Sequence, residues 1–333
     1  MTGTRTAHIV SVRDLAIGHQ REQAILSRIN LTVDRGEMVA LIGRNGSGKT
    51  TLLKSMIGLL APVGGICLLD GRPLEEFSLP QRARQVSFVS SQLVQLPSLT
   101  VEELVSLGRM PYTGWTGRLS AQDRMLVSRA LAEVQMEAFS ARKLDCLSDG
   151  ERQRALIARA FVQDTSLMVL DEPTAFLDIP NTFDLIRLLR RFVEAGRSIV
   201  YSTHDLETAL QCADKLWVIH NREILEGAPE DLGLSGLFSE LFSSSGVLYN
   251  TDTGRFLVPG RPRGKISLEG DRGEPGKWTR SALERLGFQI SEKQALKVRI
   301  ESTADGLFWT CTGRNGTMRF DTLHSLARFL IHD

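Results

Sequence analysis

The 333-residue chain has little cysteine, almost no net charge and no long apolar run, and each shortage removes a class of function. Its four cysteines, Cys67, Cys146, Cys212 and Cys311, lie far apart with no C-x-x-C pair, and so read as reduced, mostly buried thiols of a cytosolic protein. Cys311 and His324 are too sparse a pair for a metal site, and core packing is the better reading of them. A formal charge of +1 sets up no global field toward nucleic acid or an anionic membrane, and no nucleic-acid partner is expected. No stretch approaches the roughly 18 consecutive apolar residues that span a bilayer. Met1–His8 has no apolar core for a signal peptide. The expectation is a protein soluble by itself, for which any membrane role needs a partner.

What is present is Gly43-Arg44-Asn45-Gly46-Ser47-Gly48-Lys49-Thr50, between the hydrophobic run Met38–Ile42 and the helically spaced Thr51–Gly58. Gly-x-x-x-x-Gly-Lys-Thr between a strand and a helix is the P-loop pattern. Glycines let successive backbone N–H groups converge on phosphate oxygens, and a helix start adds unpaired N–H groups and a positive dipole end. Lys49 is expected to reach the β- and γ-phosphates, Thr50 to hold Mg2+ through its hydroxyl, and Thr51 belongs to the same nucleotide-binding set.

Around this loop, strand-like and helical segments alternate, which predicts a mostly parallel α/β core with a helical insertion near 100–145. Leu167–Leu170 is an apolar strand ending in Asp171-Glu172. That ending places Asp171 at the carboxyl edge of the sheet, where it can help hold Mg2+, and makes Glu172 the natural general base. Gln92 also ends a strand; its amide could bridge Mg2+ and the attacking water, or be a plain surface group. His204, after the buried strand Ser198–Ser202, could sense the γ-phosphate, although a lone strand-end histidine is more often a hydrogen-bonded loop residue. Ser148 and Glu151 form a capping box at the head of an apolar-striped helix.

These stretches together resemble the nucleotide-binding domain of ATP-binding cassette (ABC) ATPases. The matching parts are the Walker A stretch Gly43–Thr50, the Q-loop Gln92 and the signature Leu147-Ser-Asp-Gly-Glu-Arg-Gln153. The Walker B acids Asp171-Glu172, the D-loop Ala175–Asp178 and the switch histidine His204 follow in family order, over roughly residues 8–232. The resemblance implies an ATP hydrolase with ATP and Mg2+ as ligands, acting as a head-to-tail homodimer. Ser148 and Gly150 of one subunit would then contact ATP held by the other's P-loop. It implies that His19 occupies the adenine-stacking position, where many relatives have an aromatic residue. The signature here has Asp149 before Gly150 where two glycines are usual, and its carboxylate is expected to point away from the γ-phosphate.

Leu99–Arg109 with Pro111-Tyr112 is similar to the helical region of importers for iron-siderophores, heme and vitamin B12. That branch implies integral-membrane permease subunits docked around Gln92–Tyr112. It also implies an indirect link to a periplasmic binding protein and a peripheral location on the cytoplasmic face of the inner membrane. The rival is a cytosolic ABC ATPase with no transport role. Such proteins often carry two cassettes or long coiled insertions, and here there is one cassette and no heptad run.

Beyond about Leu232, stretches such as Pro259–Pro262 and Gly270–Gly276 punctuate the chain. They suggest a linker over 233–276 with a β-hairpin tipped by Thr251–Gly254. A small α+β accessory domain over 277–333 is then predicted, opening with a short helix Ser281–Leu286 and closing with a helix Thr322–Ile331.

Overall fold

The computed structural model describes residues 8–18, 24–91, 98–114, 117–175, 177–242, 248–250, 255–258, 261–270, 272–303, 306–314 and 316–332. The chain divides into two units, Met1–Leu232 and Gly233–Asp333.

In the first unit the elements run β1 (His8–Ile17), β2 (Leu26–Asp34), β3 (Met38–Ile42), α1 (Lys49–Met56), β4 (Gly64–Leu69), β5 (Arg72–Pro73), α2 (Leu79–Ala83) and β6 (Val86–Val89). They continue with α3 (Val101–Ser106), α4 (Ala121–Glu133), α5 (Asp149–Val162), β7 (Leu167–Leu170), α6 (Ile179–Glu194), β8 (Ser198–Thr203), α7 (Leu206–Cys212), β9 (Lys215–His220) and β10 (Glu223–Gly227). Two sheets result. One is antiparallel in the order β2-β1-β4-β5; the other has the order β10-β9-β3-β8-β7-β6 and is parallel except for β10. Strands β3 and β7 are buried along their whole length, as a sheet covered on both faces requires. Between the sheets, Leu15, Leu31, Val39, Leu41, Leu52, Leu53 and Trp217 form one apolar core. No helix among the described residues is long and apolar enough to cross a membrane.

The predicted insertion near 100–145 is helical among the described residues, two α-helices and short 3-10 turns. Helix α3 runs into a 3-10 turn over Leu107–Tyr112, and α4 follows. That turn is anchored rather than loose. Arg109 is buried, pairs with Asp123 at 2.8 Å and donates to Val162 O at 2.9 Å. Gly108 is needed there, since a Cβ on it would lie 2.2 Å from Arg159 O in α5.

The division falls within α8 (Pro229–Leu234), and the second unit continues with α9 (Leu237–Phe242), then the paired strands β11 (Leu248–Asn250) and β12 (Arg255–Leu257). These two strands are the expected hairpin; its tip lies outside the described residues. Tyr249 packs against Phe238 and Phe256, with ring centroids 5.3 and 5.1 Å away. Next come β13 (Gly264–Glu269), α10 (Gly273–Arg285), β14 (Phe288–Ile290), β15 (Lys297–Thr303), β16 (Gly306–Gly313), β17 (Gly316–Phe320) and α11 (Leu323–His332). Their sheet has the order β14-β13-β15-β16-β17. Ile266, Leu283, Val298, Trp309, Cys311 and Leu326 form its core.

This sheet corrects the sequence boundary at 277. Strand β13, placed in the linker by its glycine- and proline-rich flanks, is an interior strand paired in parallel with both β14 and β15. Helix α10 starts at Gly273 rather than Ser281, with Pro275 in its first turn. A first-turn N–H has no intrahelical acceptor, so a proline costs nothing there. Cys311 is buried in this core, but His324 is exposed on α11, so the core-packing reading holds for Cys311 alone; Cys67 is buried in the first unit, Cys146 is exposed and Cys212 half-buried, so two of the four thiols depart from the buried reading.

Candidate active site

The strand order β3-β8-β7-β6 brings four chain segments, far apart in sequence, to one carboxyl edge. The P-loop follows β3, Asp171-Glu172 follows β7, Ser202-Thr203 ends β8 with His204 next, and Ser91 follows β6. Such an edge is where open α/β sheets bind ligands.

Asp171 is fully buried, and its two oxygens are satisfied by hydroxyls. Thr50 Oγ1 and Ser91 Oγ each donate to Oδ2 at 2.8 Å, and Ser202 Oγ donates to Oδ1 at 2.7 Å. A buried carboxylate without such donors would be strongly unfavourable. Glu172 is held from two sides. Lys49 Nζ lies 3.2 Å from Oε1, and His204 Nδ1 lies 2.7 Å from Oε2. Lys49 is itself buried and also donates to Gly43 O at 2.9 Å. Glu172 takes a left-handed backbone (φ +53°), which costs a residue with a side chain about 1 kcal/mol. Its N–H donates to Ser202 Oγ at 2.9 Å.

The P-loop has the geometry of a phosphate cradle. Gly46 and Gly48 are left-handed at φ +77° and +102°, and no side chain caps α1. The first N–H groups of that helix therefore have no side-chain acceptor. Ser47 Oγ is buried with no hydrogen-bond partner among the described residues, the kind of orphan donor that a phosphate oxygen satisfies. A Cβ on Gly43 would meet Ser47 Oγ at 2.6 Å. For a divalent cation, Thr50 and Asp171 present hard oxygens side by side. No group of three or more acidic, histidine or cysteine side chains that could by itself hold a metal ion occurs among the described residues. One carboxylate with one hydroxyl fits Mg2+ that completes its shell with phosphate and water.

Ser148 and Gly150 sit elsewhere, at the head of α5. Ser148 Oγ accepts from Glu151 N at 3.3 Å, and Ser148 N donates to Glu151 Oε2 at 2.7 Å, the reciprocal pair of a capping box. The Ser148 backbone and side-chain donors hold the Glu151 carboxyl below the usual range. Asp149 pairs with Arg152 at 3.3 Å, and Arg152 also donates to Leu144 O and Leu147 O. No hydrogen bond among the described residues joins Ser148 or Gly150 to the P-loop. Asp178, from the D-loop stretch, caps α6 by accepting from Asn181 N at 3.0 Å. Arg44 and Asn45 lie exposed in the loop, and Thr51 is buried in the first turn of α1. His19 and Gln92 fall outside the described residues.

Two site residues escaped the sequence reading. Ser91 and Ser202 are unremarkable in composition, and their roles depend on which strands become neighbours. The one available signal was position: Ser91 directly precedes Gln92, and Ser202 lies two residues before His204 on a strand.

Residues 26–175 match the family model for the ABC transporter, and residues 263–331 match that for the iron ABC transporter C-terminal domain. The chain is 36% identical over 236 residues to the achromobactin transport ATP-binding protein of Dickeya dadantii, covering 70% of this chain and 87% of that one. It is 34% identical over 255 residues to a petrobactin import ATP-binding protein of Bacillus anthracis, covering 76% and 93%. A hemin import ATP-binding protein of Streptomyces coelicolor is 33% identical over 243 residues, covering 72% and 86%. Among solved structures, the ATP-binding subunit of an ABC transporter aligns with a TM-score of 0.62 at 31% identity, over 71% of this chain and 98% of that one. A dimeric ATP-binding cassette in a post-hydrolysis state with ADP and phosphate aligns at 0.60 with 27% identity, over 66% and 98%. With the P-loop, the paired acids and the capped signature helix on one scaffold, the chain belongs to the ABC transporter ATP-binding family and is an ATP hydrolase of the ABC type.

Proposed function

We propose that this protein is the ATP-hydrolysing subunit of an importer for an iron-siderophore, with heme or cobalamin as related cargo, working on a separate permease at the cytoplasmic face of the membrane. The observation that carries the reading is the union in one chain of an ABC cassette and a C-terminal domain of the iron ABC transporter type. The named transport and import functions of the relatives support it. In this reading two copies assemble head to tail, Ser148 and Gly150 of each completing the site on the other's P-loop. The permease docks around residues 92–112, and a periplasmic binding protein delivers the cargo to it.

For hydrolysis, ATP lies in the P-loop with its phosphates on the first N–H groups of α1 and on Ser47. Bound Mg2+, on Thr50 and Asp171, would offset charge on the phosphate oxygens. Lys49, drawn to the phosphates, leaves Glu172 Oε1, and that carboxylate becomes free to take a proton from the attacking water. His204, whose Nδ1–H donates to the other Glu172 oxygen, keeps the carboxylate oriented beside the departing phosphate. Glu172→Gln should retain ATP binding and cut turnover by about 100-fold or more, trapping an ATP-bound dimer visible by size-exclusion chromatography. Hydrolysis by that variant at the parent rate would refute the base assignment. Uptake of labelled ferric siderophore, heme and cobalamin by the reconstituted complex tests the cargo.

A further inference from the structure

The Ser202 hydroxyl makes two hydrogen bonds that join the two acids. It donates to Asp171 Oδ1 at 2.7 Å and accepts the N–H of Glu172 at 2.9 Å. Ser202 is fully buried, so water does not stand in for either partner. Ile199, Val200 and Tyr201 precede it as buried residues of β8, and an alanine at Ser202 would leave Asp171 Oδ1 and the Glu172 N–H each without this buried partner. Asp171 Oδ2 has two other donors, Thr50 and Ser91; Oδ1 is held by Ser202. The N–H that Ser202 receives belongs to a residue in the left-handed region at φ +53°, a conformation that persists where its surroundings hold it.

We propose that Ser202 is a positioning residue for hydrolysis. Its one hydroxyl fixes the direction of the Asp171 carboxylate relative to the backbone turn that aims Glu172. The acid on the cation side and the base on the water side thereby keep one mutual orientation. The proposal rests on Glu172 acting as the base. Nucleotide binding, in contrast, rests first on the P-loop N–H groups, Ser47 and Lys49, none of which bonds to Ser202; Thr50 shares Asp171 with Ser202, but through Oδ2, which keeps Thr50 and Ser91 as donors when Ser202 is lost.

The test uses the full-length chain with Ser202→Ala, Ser202→Thr, Glu172→Gln and the double variant Ser202→Ala/Glu172→Gln. Steady-state ATPase assays and equilibrium titration with a fluorescent ATP analogue in Mg2+ are the readouts. Ser202→Ala should lower kcat about 10- to 100-fold while KM and the analogue Kd stay within about twofold. Ser202→Thr, which keeps the hydroxyl, should recover kcat to within about threefold of the parent. In the Glu172→Gln background, Ser202→Ala should change the residual rate by less than about twofold, because the group it positions is already gone. A Ser202→Ala enzyme with the parent kcat, a rise in KM and Kd matching the fall in kcat, or a full additional loss in the double variant would each overturn the proposal. Thermal melts report folding. If Ser202→Ala does not fold, Ser202→Cys, similar in shape with a weak donor and acceptor, must lower kcat at least about fivefold at unchanged Kd. Parent-rate hydrolysis by Glu172→Gln would instead bring down the base assignment, an outcome separate from the Ser202→Ala result in the parent background.

Discussion

Lys49 has two partners of opposite meaning for catalysis. Its ammonium is charge-paired with Glu172 and hydrogen-bonded to Gly43 O, and in the proposed cycle triphosphate oxygens replace the carboxylate. The exchange is plausible in magnitude because hydrogen bonds to charged groups are worth about 1.5–3 kcal/mol each. Lys49→Ala should therefore weaken ATP binding by about 10- to 100-fold, read by titration with a fluorescent analogue; an unchanged Kd would remove Lys49 from the phosphate site. Asp149 shows how a residue that breaks a familiar pattern is accommodated. Its pairing with Arg152 tempers the charge it brings to a helix start, where an acid is already favoured by the helix dipole.

The helices of the insertion and the signature helix that follows share one device. Thr100 and Glu103 cap α3, Ser120 and Asp123 cap α4, and Ser148 and Glu151 cap α5, each pair bonding in both directions. In all three the carboxyl is held below the usual range. Glu103 and Glu151 owe this first to the backbone N–H of the cap residue, and Asp123 owes it to the Ser120 hydroxyl and then Arg109. A folded-state value lower than the unfolded one stabilises the protein fully above the ordinary carboxylate range. That contribution is lost as pH falls through the lowered folded value. The urea midpoint should thus decline on acidification from about pH 5 to pH 3. Ser148→Ala should cost about 1 kcal/mol at neutral pH, with the gap to the parent narrowing at the acid end. A gap that stayed constant with pH would show that the Glu151 charge takes no part in the cap.

At the scale of the whole molecule, Ser148 bonds to Glu151 and, among the described residues, to no P-loop group, and mixed variants test whether the two meet in trans. Ser148→Arg and Lys49→Ala should each inactivate a homodimer. Mixed, they form heterodimers in which both lesions fall on one site and the other is intact. Activity should then recover, up to about a quarter of the parent for random pairing. Failure to recover any ATPase activity would place both halves of each site in the same chain.

The cradle, the cap and the strand-ending acids are properties of contiguous residues, and they were readable before any fold was known. Glycine spacing sets the P-loop turn, a serine three residues ahead of a glutamate sets the α5 cap, and an apolar run fixes where β7 stops. Each depends on geometry within about one turn of chain. What only the tertiary structure decided depends on long-range pairing. Thr50 and Asp171 are 121 residues apart and meet because β8 alone lies between β3 and β7. The same pairing turns Ser202 from a strand residue into the bridge between two acids, and it draws β13 out of an apparent linker into the interior of a sheet. Hydrophobic pattern and turn residues specify that a strand exists; which strand lies beside it follows from packing the whole chain, and that choice assembled this site.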